Sequence, residues 1–158
     1  MKNILDQIVE SKKREVADLY KQFDLKYLQQ TVQASNRSFY KRLQTARQEQ
    51  QPFFICEFKR KSPSEGWINR GADVADQVRK YATAGASAVS VLTDSPFFGG
   101  SYADLKAAAQ ALQVNEQPDA PLLLQKDFIL DPIQIYQARQ CGADIILLIA
   151  AILQPARL

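Results

Sequence analysis

Three charged side chains stand at the ends of two apolar segments of this sequence. Glu57 and Lys59 close the segment over residues 53–59, and Lys126 closes the segment over residues 121–126. Because successive side chains of a strand point to opposite faces, Glu57 and Lys59 share one face. Charged groups beside apolar neighbours are costly to bury unless they are paired or used. The pattern therefore favours an acid/base site over a surface on which these charged side chains have no chemical role.

The absence of histidine narrows the chemistry that such a site can perform. None of the 158 residues is a histidine. This excludes the Ser-His-Asp and Cys-His triads and the usual zinc sites. Proton transfer must then depend on Lys, Glu, Asp or Tyr.

Composition favours one ordinary domain with a sizeable core, since 46% of the residues are hydrophobic. The net charge is only +3, and the lysines and arginines are scattered among acidic residues. This distribution is not typical of a nucleic-acid-binding surface. The first seven residues contain no apolar signal region, and no apolar run approaches the ~20 residues of a membrane span. We expect a cytoplasmic protein.

The two cysteines, Cys56 and Cys141, lack the spacing of metal ligands. We therefore expect both to be reduced packing residues, and we expect no metal site.

The elements that must position the charged groups alternate between strand and helix from residue 53 onward. Apolar runs on both strand faces predict a parallel sheet covered by helices. Polar side chains follow several predicted strands, which is where barrel enzymes have their active sites, although open doubly wound sheets also bind ligands there. The predicted strands cover residues 53–58, 87–92, 121–125 and 144–149, and the predicted helices cover residues 73–83, 102–113 and 131–140.

Two further patterns complete the predicted organisation. Residues 1–50 show apolar positions at helical spacing among charged ones, which predicts an N-terminal helical extension in which Ser38 caps one helix. Gly85 and Gly142 each precede an apolar strand, and we expect both to end a helix in the left-handed conformation. The predicted parts are thus the extension over 1–50 and a barrel-like part over 51–158.

Four segments resemble the indole-3-glycerol phosphate synthase family of tryptophan biosynthesis. With the helical extension, they follow the family's order along nearly the whole chain. The segments are Glu57-Phe58-Lys59-Arg60-Lys61-Ser62-Pro63-Ser64, Val91-Leu92-Thr93-Asp94 through Phe97-Phe98-Gly99-Gly100-Ser101, Gln125-Lys126-Asp127-Phe128 through Tyr136, and Gly142-Ala143-Asp144-Ile145-Ile146-Leu147-Leu148-Ile149.

The resemblance implies a (β/α)₈ barrel enzyme without a cofactor. Its substrate would be 1-(2-carboxyphenylamino)-1-deoxyribulose 5-phosphate, which closes a ring and loses carbon dioxide and water. Lys126 resembles the general acid, Lys59 a partner amine that holds the substrate carboxylate or phosphate, and Glu57 the carboxylate that orients both. A protonated amine suits this reaction because it can protonate the carbonyl oxygen and stabilise its charge. The residues that match the substrate pocket are Ser62, Phe98 and Leu147.

Three positions depart from the commonest family pattern, and simpler interpretations of the motifs stay open. Glu65, Trp67 and Gln125 stand where the family usually has other residues. Glu57 and Lys59 also fit a structural ion pair. In the same way, Ser62-Pro63-Ser64 fits a plain turn, and Lys126-Asp127 fits a solvated turn.

The resemblance also predicts that half of a barrel is missing. A barrel of this type needs roughly 250 residues and often holds phosphate after strands 7 and 8, whereas this chain ends just after its fourth predicted strand. We expect the first and fourth strands to be unpaired edges, with self-association or a separate C-terminal half closing the fold. One alternative is an inert or self-assembling half-barrel. Another is a different phosphate-handling barrel, such as phosphoribosylanthranilate isomerase or a thiamine-phosphate synthase.

Overall fold

Three helices open the fold. A computed structural model describes residues 3–157. Each helix starts at a polar side chain that accepts a hydrogen bond from a backbone N–H of its first turn, which satisfies a donor the helix itself cannot. Ser38 accepts from the Lys41 N–H as predicted. The helices are α1 (Ile4–Gln22), α2 (Leu25–Thr31) and α3 (Phe39–Gln48).

Strands and helices alternate after α3. The first strand is followed by a pair of two-residue strands. Helices and strands then alternate, as the apolar pattern predicts. The elements are β1 (Ile55–Phe58), β2 (Lys61–Ser62), β3 (Gly66–Trp67), α4 (Val74–Thr83), β4 (Ala88–Leu92), α5 (Ser95–Phe98), α6 (Tyr102–Ala111), β5 (Leu122–Lys126), α7 (Pro132–Gln140) and β6 (Ile145–Ile146). Two 3₁₀ turns follow, at Ala150–Ile152 and Pro155–Arg157. Residues 1 and 2 of the predicted extension and residue 158 of the predicted barrel-like part lie outside the described range.

The main sheet is parallel, with strand order β1-β4-β5-β6. One face is covered by α4 and α6, where Val89, Val91 and Leu123 are fully buried. The opposite face is more open, and Ile55 on β1 is 48% exposed. Helices α1 and α2 pack against α7 through Leu19, Leu28 and Ile133.

The prediction for the fourth strand is wrong in extent. We expected a strand over 144–149, but β6 contains two residues. Their partners on β5 are Leu124 and Gln125. Among residues 3–157, β5 is the one strand beside β6. A strand with no ladder on its other side has fewer hydrogen bonds to keep it extended, and the backbone after Ile146 soon enters a 3₁₀ turn.

Two glycines have the predicted left-handed conformation. Gly85 has φ +84° and Gly142 has φ +99°. A methyl group on Gly142 would lie 2.5 Å from Ala109 Cβ, so this turn also lets the chain pass close to α6. The two cysteines are free thiols that pack against the helix-covered core.

A small hairpin was not predicted. β2 and β3 are antiparallel, with Ser62 paired to Gly66, and Gly66 has φ +68°. The sequence Ser62-Pro63-Ser64 suggested only a turn, because strands of two residues leave no alternating pattern to detect.

Candidate active site

Glu57 lies between the two predicted catalytic lysines. The Lys126 ammonium donates to Glu57 Oε2 at 2.9 Å, and Lys59 Nζ lies 3.5 Å from Glu57 Oε1. Each of the three side chains is about one third exposed, at 38% for Lys126, 33% for Glu57 and 32% for Lys59. The structure therefore brings together all three residues on the open face of the sheet. We call Glu57, Lys59 and Lys126 the open cluster.

Strand register explains this meeting. Glu57 pairs with Ser90 across β1 and β4, and Ser90 pairs with Leu124 across β4 and β5. Lys126 is two residues beyond Leu124, so it stands on the same face one step nearer the carboxyl edge. The Tyr81 hydroxyl donates to the Glu57 carbonyl at 2.9 Å and attaches this end of β1 to α4.

Arg60 and the hairpin fix the chain just after β1. Both terminal nitrogens of Arg60 donate to Asp104 on α6 at 2.8 Å, and its Nε donates to the Ala72 carbonyl at 2.9 Å. Such a two-pronged pair is strong and directional. Lys61 donates to the Pro96 carbonyl at 2.8 Å, which joins the hairpin to α5.

Ser62 lies inside this hairpin and is nearly buried. Its hydroxyl oxygen accepts from the Glu65 N–H at 3.1 Å and is 3.2 Å from Ser64 Oγ. The hydroxyl therefore organises the turn that follows β2. Its predicted contact with substrate remains a prediction.

Phe98 ends α5 and is half-buried. Its ring centroid lies 6.0 Å from that of Phe128, two residues after Lys126. Gly99, with φ +66°, ends α5, and Gly100 is so close to the end of β4 that a methyl group there would be 2.0 Å from the Leu92 carbonyl oxygen. The two glycines let the chain bring the Phe98 ring to the same sheet edge as Lys126.

Leu147 lies just beyond the paired part of the fourth strand of the sheet. It follows β6 directly and is partly buried. Its predicted role depends on the resemblance alone.

Sequence reasoning missed a second charged cluster, in which Lys12 of α1 is fully buried. Lys12 Nζ lies 2.7 Å from Asp127 Oδ1, 3.3 Å from Asp94 Oδ2 and 2.7 Å from Glu15 Oε2. The Lys12, Asp94 and Asp127 side chains are all 0% exposed. We call Lys12, Asp94 and Asp127 the buried cluster. Its burial shows that Lys126-Asp127 is not a solvated turn.

Opposing effects act on the protonation of Lys12. Burial works to lower its pKa, but attraction by Asp127 and Glu15 outweighs burial, so the pKa rises from 10.5 to about 12. Burial also raises the pKa of Glu15 above its ordinary value, more than its ion pair with Lys12 lowers it. Lys12 is thus held as a cation throughout the physiological range.

Gln125 and Thr93 extend the buried cluster into the sheet. The Gln125 side-chain amide donates to Thr93 Oγ1 at 3.0 Å, and the Thr93 hydroxyl donates to Asp127 Oδ2. Gln125, one of the departures from the family pattern, is fully buried. Burial raises the pKa of the nearby Tyr102 hydroxyl, so this phenol stays protonated.

Comparison with known proteins decides which family these features belong to. The family model described as "Indole-3-glycerol phosphate synthase" matches residues 5–158. The chain belongs to the indole-3-glycerol phosphate synthase family. The (β/α)₈ barrel class predicted from the sequence is confirmed, and the other two phosphate-handling barrels are excluded. The parallel sheet corresponds to part of an indole-3-glycerol phosphate synthase barrel.

Individual indole-3-glycerol phosphate synthases resemble the chain along its whole length. The synthase of Bacillus cereus strain ATCC 10987 is 46% identical over 158 residues, which cover 100% of this chain and 56% of that protein. The synthase of Bacillus thuringiensis subsp. konkukian strain 97-27 is 47% identical with the same coverage. The chain therefore spans just over half the length of these relatives.

Metal-binding side-chain groups and membrane-spanning helices are both absent from residues 3–157. Within residues 3–157, no three His, Cys, Asp or Glu side chains are grouped so as to hold a metal ion. No helix in that range combines the length and apolar character needed to span a bilayer.

Proposed function

We propose that this chain supplies the acid side of an indole-3-glycerol-phosphate synthase active site. The observation that carries the proposal is the open cluster, in which one carboxylate joins two ammonium groups at the carboxyl edge of the sheet. Membership of the family supports the substrate, 1-(2-carboxyphenylamino)-1-deoxyribulose 5-phosphate. No cofactor is part of the proposal. The biosynthetic role goes with a cytoplasmic location.

Lys126 is the proposed general acid. As the aromatic carbon attacks the substrate carbonyl, the Lys126 ammonium donates a proton to the carbonyl oxygen, which becomes a hydroxyl group. Loss of carbon dioxide returns the electron pair of the broken carbon–carbon bond to the ring. The hydroxyl group then leaves as water together with one hydrogen of the neighbouring CH₂ carbon, and the new carbon–carbon double bond completes the indole. In this assignment Glu57 orients Lys126 through their 2.9 Å hydrogen bond.

Lys59 and the pocket residues are proposed to hold the substrate. The Lys59 ammonium is free to turn from Glu57 towards a substrate carboxylate or phosphate, since their 3.5 Å separation is a looser contact than that of Lys126. Phe98 presents an apolar ring beside Phe128 that suits an aromatic substrate. Ser62 and Leu147 complete the proposed pocket.

We divide the chain into a helical extension over residues 1–50 and half of a barrel over 51–158. In this proposal, the site residues at the carboxyl ends of the remaining barrel strands come from a separate C-terminal half. A second candidate is a half-barrel that self-associates without catalysis. The exposed side chains of Phe54 and Ile55, at 57% and 48% on the first strand segment, favour some form of association.

The test is formation of indole glycerol phosphate, followed by its fluorescence. The chain is assayed alone and mixed with the C-terminal half of the Bacillus cereus relative. We expect turnover in the mixture and its loss in Lys126→Ala. Lys21→Ala is the matched control, since Lys21 is 76% exposed on α1 and its one ion pair in the described range is a solvent-exposed pair with Asp18.

The possible results separate the candidates. Turnover that survives Lys126→Ala would remove Lys126 from the role of general acid. If both halves are folded and associate but do not turn over, the catalytic proposal fails. A stable dimer of the chain alone, without turnover in any sample, would support the self-associating half-barrel.

A further inference from the structure

The aspartates of the buried cluster each hold the backbone of a segment that carries part of the proposed site. Asp94 Oδ1 accepts from the Phe97 N–H at 2.9 Å and so caps α5, whose last residue is Phe98. Asp127 Oδ1 accepts from the Phe128 N–H at 2.7 Å. Asp127 is also joined by one peptide bond to Lys126.

Lys12 connects these two segments from behind the sheet edge. Its ammonium contacts the carboxylates that follow β4 and β5, at 3.3 Å and 2.7 Å. Its ammonium therefore adds an ionic connection between the segment that leads to Phe98 and the segment that follows Lys126, beside the backbone hydrogen bond from the Thr93 N–H to the Lys126 carbonyl at 3.1 Å. The Phe98 and Phe128 rings belong to the same two segments, and their centroids lie 6.0 Å apart.

We propose that Lys12 is a positioning residue, which sets where the Lys126 ammonium lies relative to Glu57 and Phe98. Lys12 does not touch the open cluster and acts through Asp94 and Asp127. The inference rests on the proposed function for the roles of Lys126 and Phe98, whereas the geometry of the buried cluster does not. It makes α1 part of the machinery of the site.

Stability alone is a poor account of such a group. Burying an ammonium and two carboxylates carries a large desolvation cost, and apolar side chains of similar volume are often as stabilising as the whole charged group. A lysine that forms ion pairs with the carboxylates after both strands supplies something that a leucine cannot, namely a charged link between the two segments. Helix α1 contributes this contact from residue 12 of the chain.

The first test measures the reactivity of Lys126 in the chain as it exists. Sulfosuccinimidyl acetate acylates free amines, and peptide mass spectrometry gives the rate for each lysine. In Lys12→Met, the segments after β4 and β5 lose their ionic link, Lys126 shifts and loses its hydrogen bond to Glu57, and its acylation rate rises about threefold. The rate of Lys21, which is 76% exposed on α1 and belongs to neither cluster, stays the same.

Lys13→Met is the matched control. Lys13 is the next residue of α1, is 64% exposed and pairs with Glu10. This variant should leave the Lys126 rate unchanged. An unchanged Lys126 rate in folded Lys12→Met would overturn the proposal.

A second variant covers the case in which Lys12→Met does not fold. Lys12→Met/Asp94→Asn removes one buried charge of each sign, and the asparagine oxygen can still cap α5. Asp127 is intact, so the charge beside Lys126 is unchanged. The same rise in the Lys126 rate is expected, and its absence overturns the proposal.

The kinetic test uses the active mixture of the chain with its C-terminal half. Per folded molecule, Lys12→Met should lower kcat about 10- to 100-fold with KM nearly unchanged, because a displaced acid affects the reaction more than binding. A role in stability alone would lower the folded fraction and leave kcat per folded molecule intact. If the unsubstituted mixture is inactive, the proposed function fails, and the acylation rates still decide whether Lys12 positions Lys126.

Discussion

The open cluster and the buried cluster lie on opposite faces of the same strand end. Lys126 and Asp127 are consecutive residues, and the pleat of the chain sends one to the open face and the other behind the sheet. Both clusters contain lysines and carboxylates at hydrogen-bonding distance. Their side chains differ in exposure, about one third in the open cluster and 0% in the buried one.

This difference in exposure changes what the same pairing can do. Water screens the open cluster, so its lysines can exchange partners at little cost, as a substrate site requires. In the buried cluster a cation without its partners is very unfavourable, so the contacts persist. Lysine–carboxylate pairs can therefore change partners in the open cluster, whereas in the buried cluster they keep their geometry.

The largest expected effect is that of Lys12→Met on stability. Removing the cation leaves Asp94 and Asp127 buried without their counter-charge, so the free energy of unfolding should fall by about 3–5 kcal/mol. Urea denaturation followed by circular dichroism measures the change. Lys13→Met should shift it by no more than about 0.5 kcal/mol. A loss below about 1 kcal/mol in Lys12→Met would mean that the clusters do not differ as described.

The pH dependence of stability should show the raised pKa of Lys12. A folded-state pKa of about 12 against 10.5 means that the folded state holds this proton more tightly. The resulting stability, about 2 kcal/mol, is fully present below about pH 10.5 and is lost as pH rises through about 12. We would measure the difference in unfolding free energy between the parent and Lys12→Met/Asp94→Asn from pH 8 to 12. A difference that stays constant over that range would contradict this account.

Substitutions in the open cluster should cost little stability. Lys59→Met and Lys126→Met each remove one side of a partly exposed ion pair, which contributes roughly 0–1 kcal/mol. Urea midpoints should therefore be close to that of the parent, even though Lys126→Met abolishes turnover in the mixture of halves. A stability loss above about 2 kcal/mol would show that the open cluster is structural.

The smallest effect is expected at Glu15, on the edge of the buried cluster. Its side chain is 30% exposed, and burial raises its pKa. A raised carboxyl pKa means that the folded state loses stability as pH rises through the ordinary carboxyl range. Glu15→Gln should remove this slope, so its unfolding free energy should improve relative to the parent between pH 4 and 7. If the unfolding free energy of Glu15→Gln instead falls relative to that of the parent as pH rises, the pKa of Glu15 is not raised in the folded state.

The open cluster was predictable because a strand has a period of two. That period alone places Glu57 and Lys59 on one face, and the parallel order of β1, β4 and β5 brings Lys126 to the same side. The catalytic and binding roles of these residues remain predictions, as do those of Ser62, Phe98 and Leu147. The alternation of strands and helices predicted the parallel sheet but not its closure, and the barrel class followed from the family resemblance, which is confirmed.

The buried cluster was missed because lysine on a charged helix is normally exposed. One signal was available in the spacing of α1. Lys12 lies four residues after Ile8 and seven before Leu19, so it falls on the apolar stripe that these buried residues define. Its partners follow two different strands, and no local pattern shows that α1 passes above them.

The extent of β6 could not be predicted for a different reason. Its apolar run is typical of a buried strand, but strand length depends on neighbours that a local pattern does not contain. Only where β5 offers partners, at Leu124 and Gln125, does the run become a strand among residues 3–157.

The hairpin after β1 carries a spectroscopic consequence. Trp67 on β3 is the one tryptophan of the sequence and is 45% exposed. The Arg70 guanidinium lies 4.5 Å from its ring centroid, and a methyl group on Gly99 would come within 3.0 Å of the ring. Since its indole emission shifts with local polarity and neighbouring charge, the fluorescence of the unlabelled protein reports on a single place, the contact between this hairpin and the end of α5.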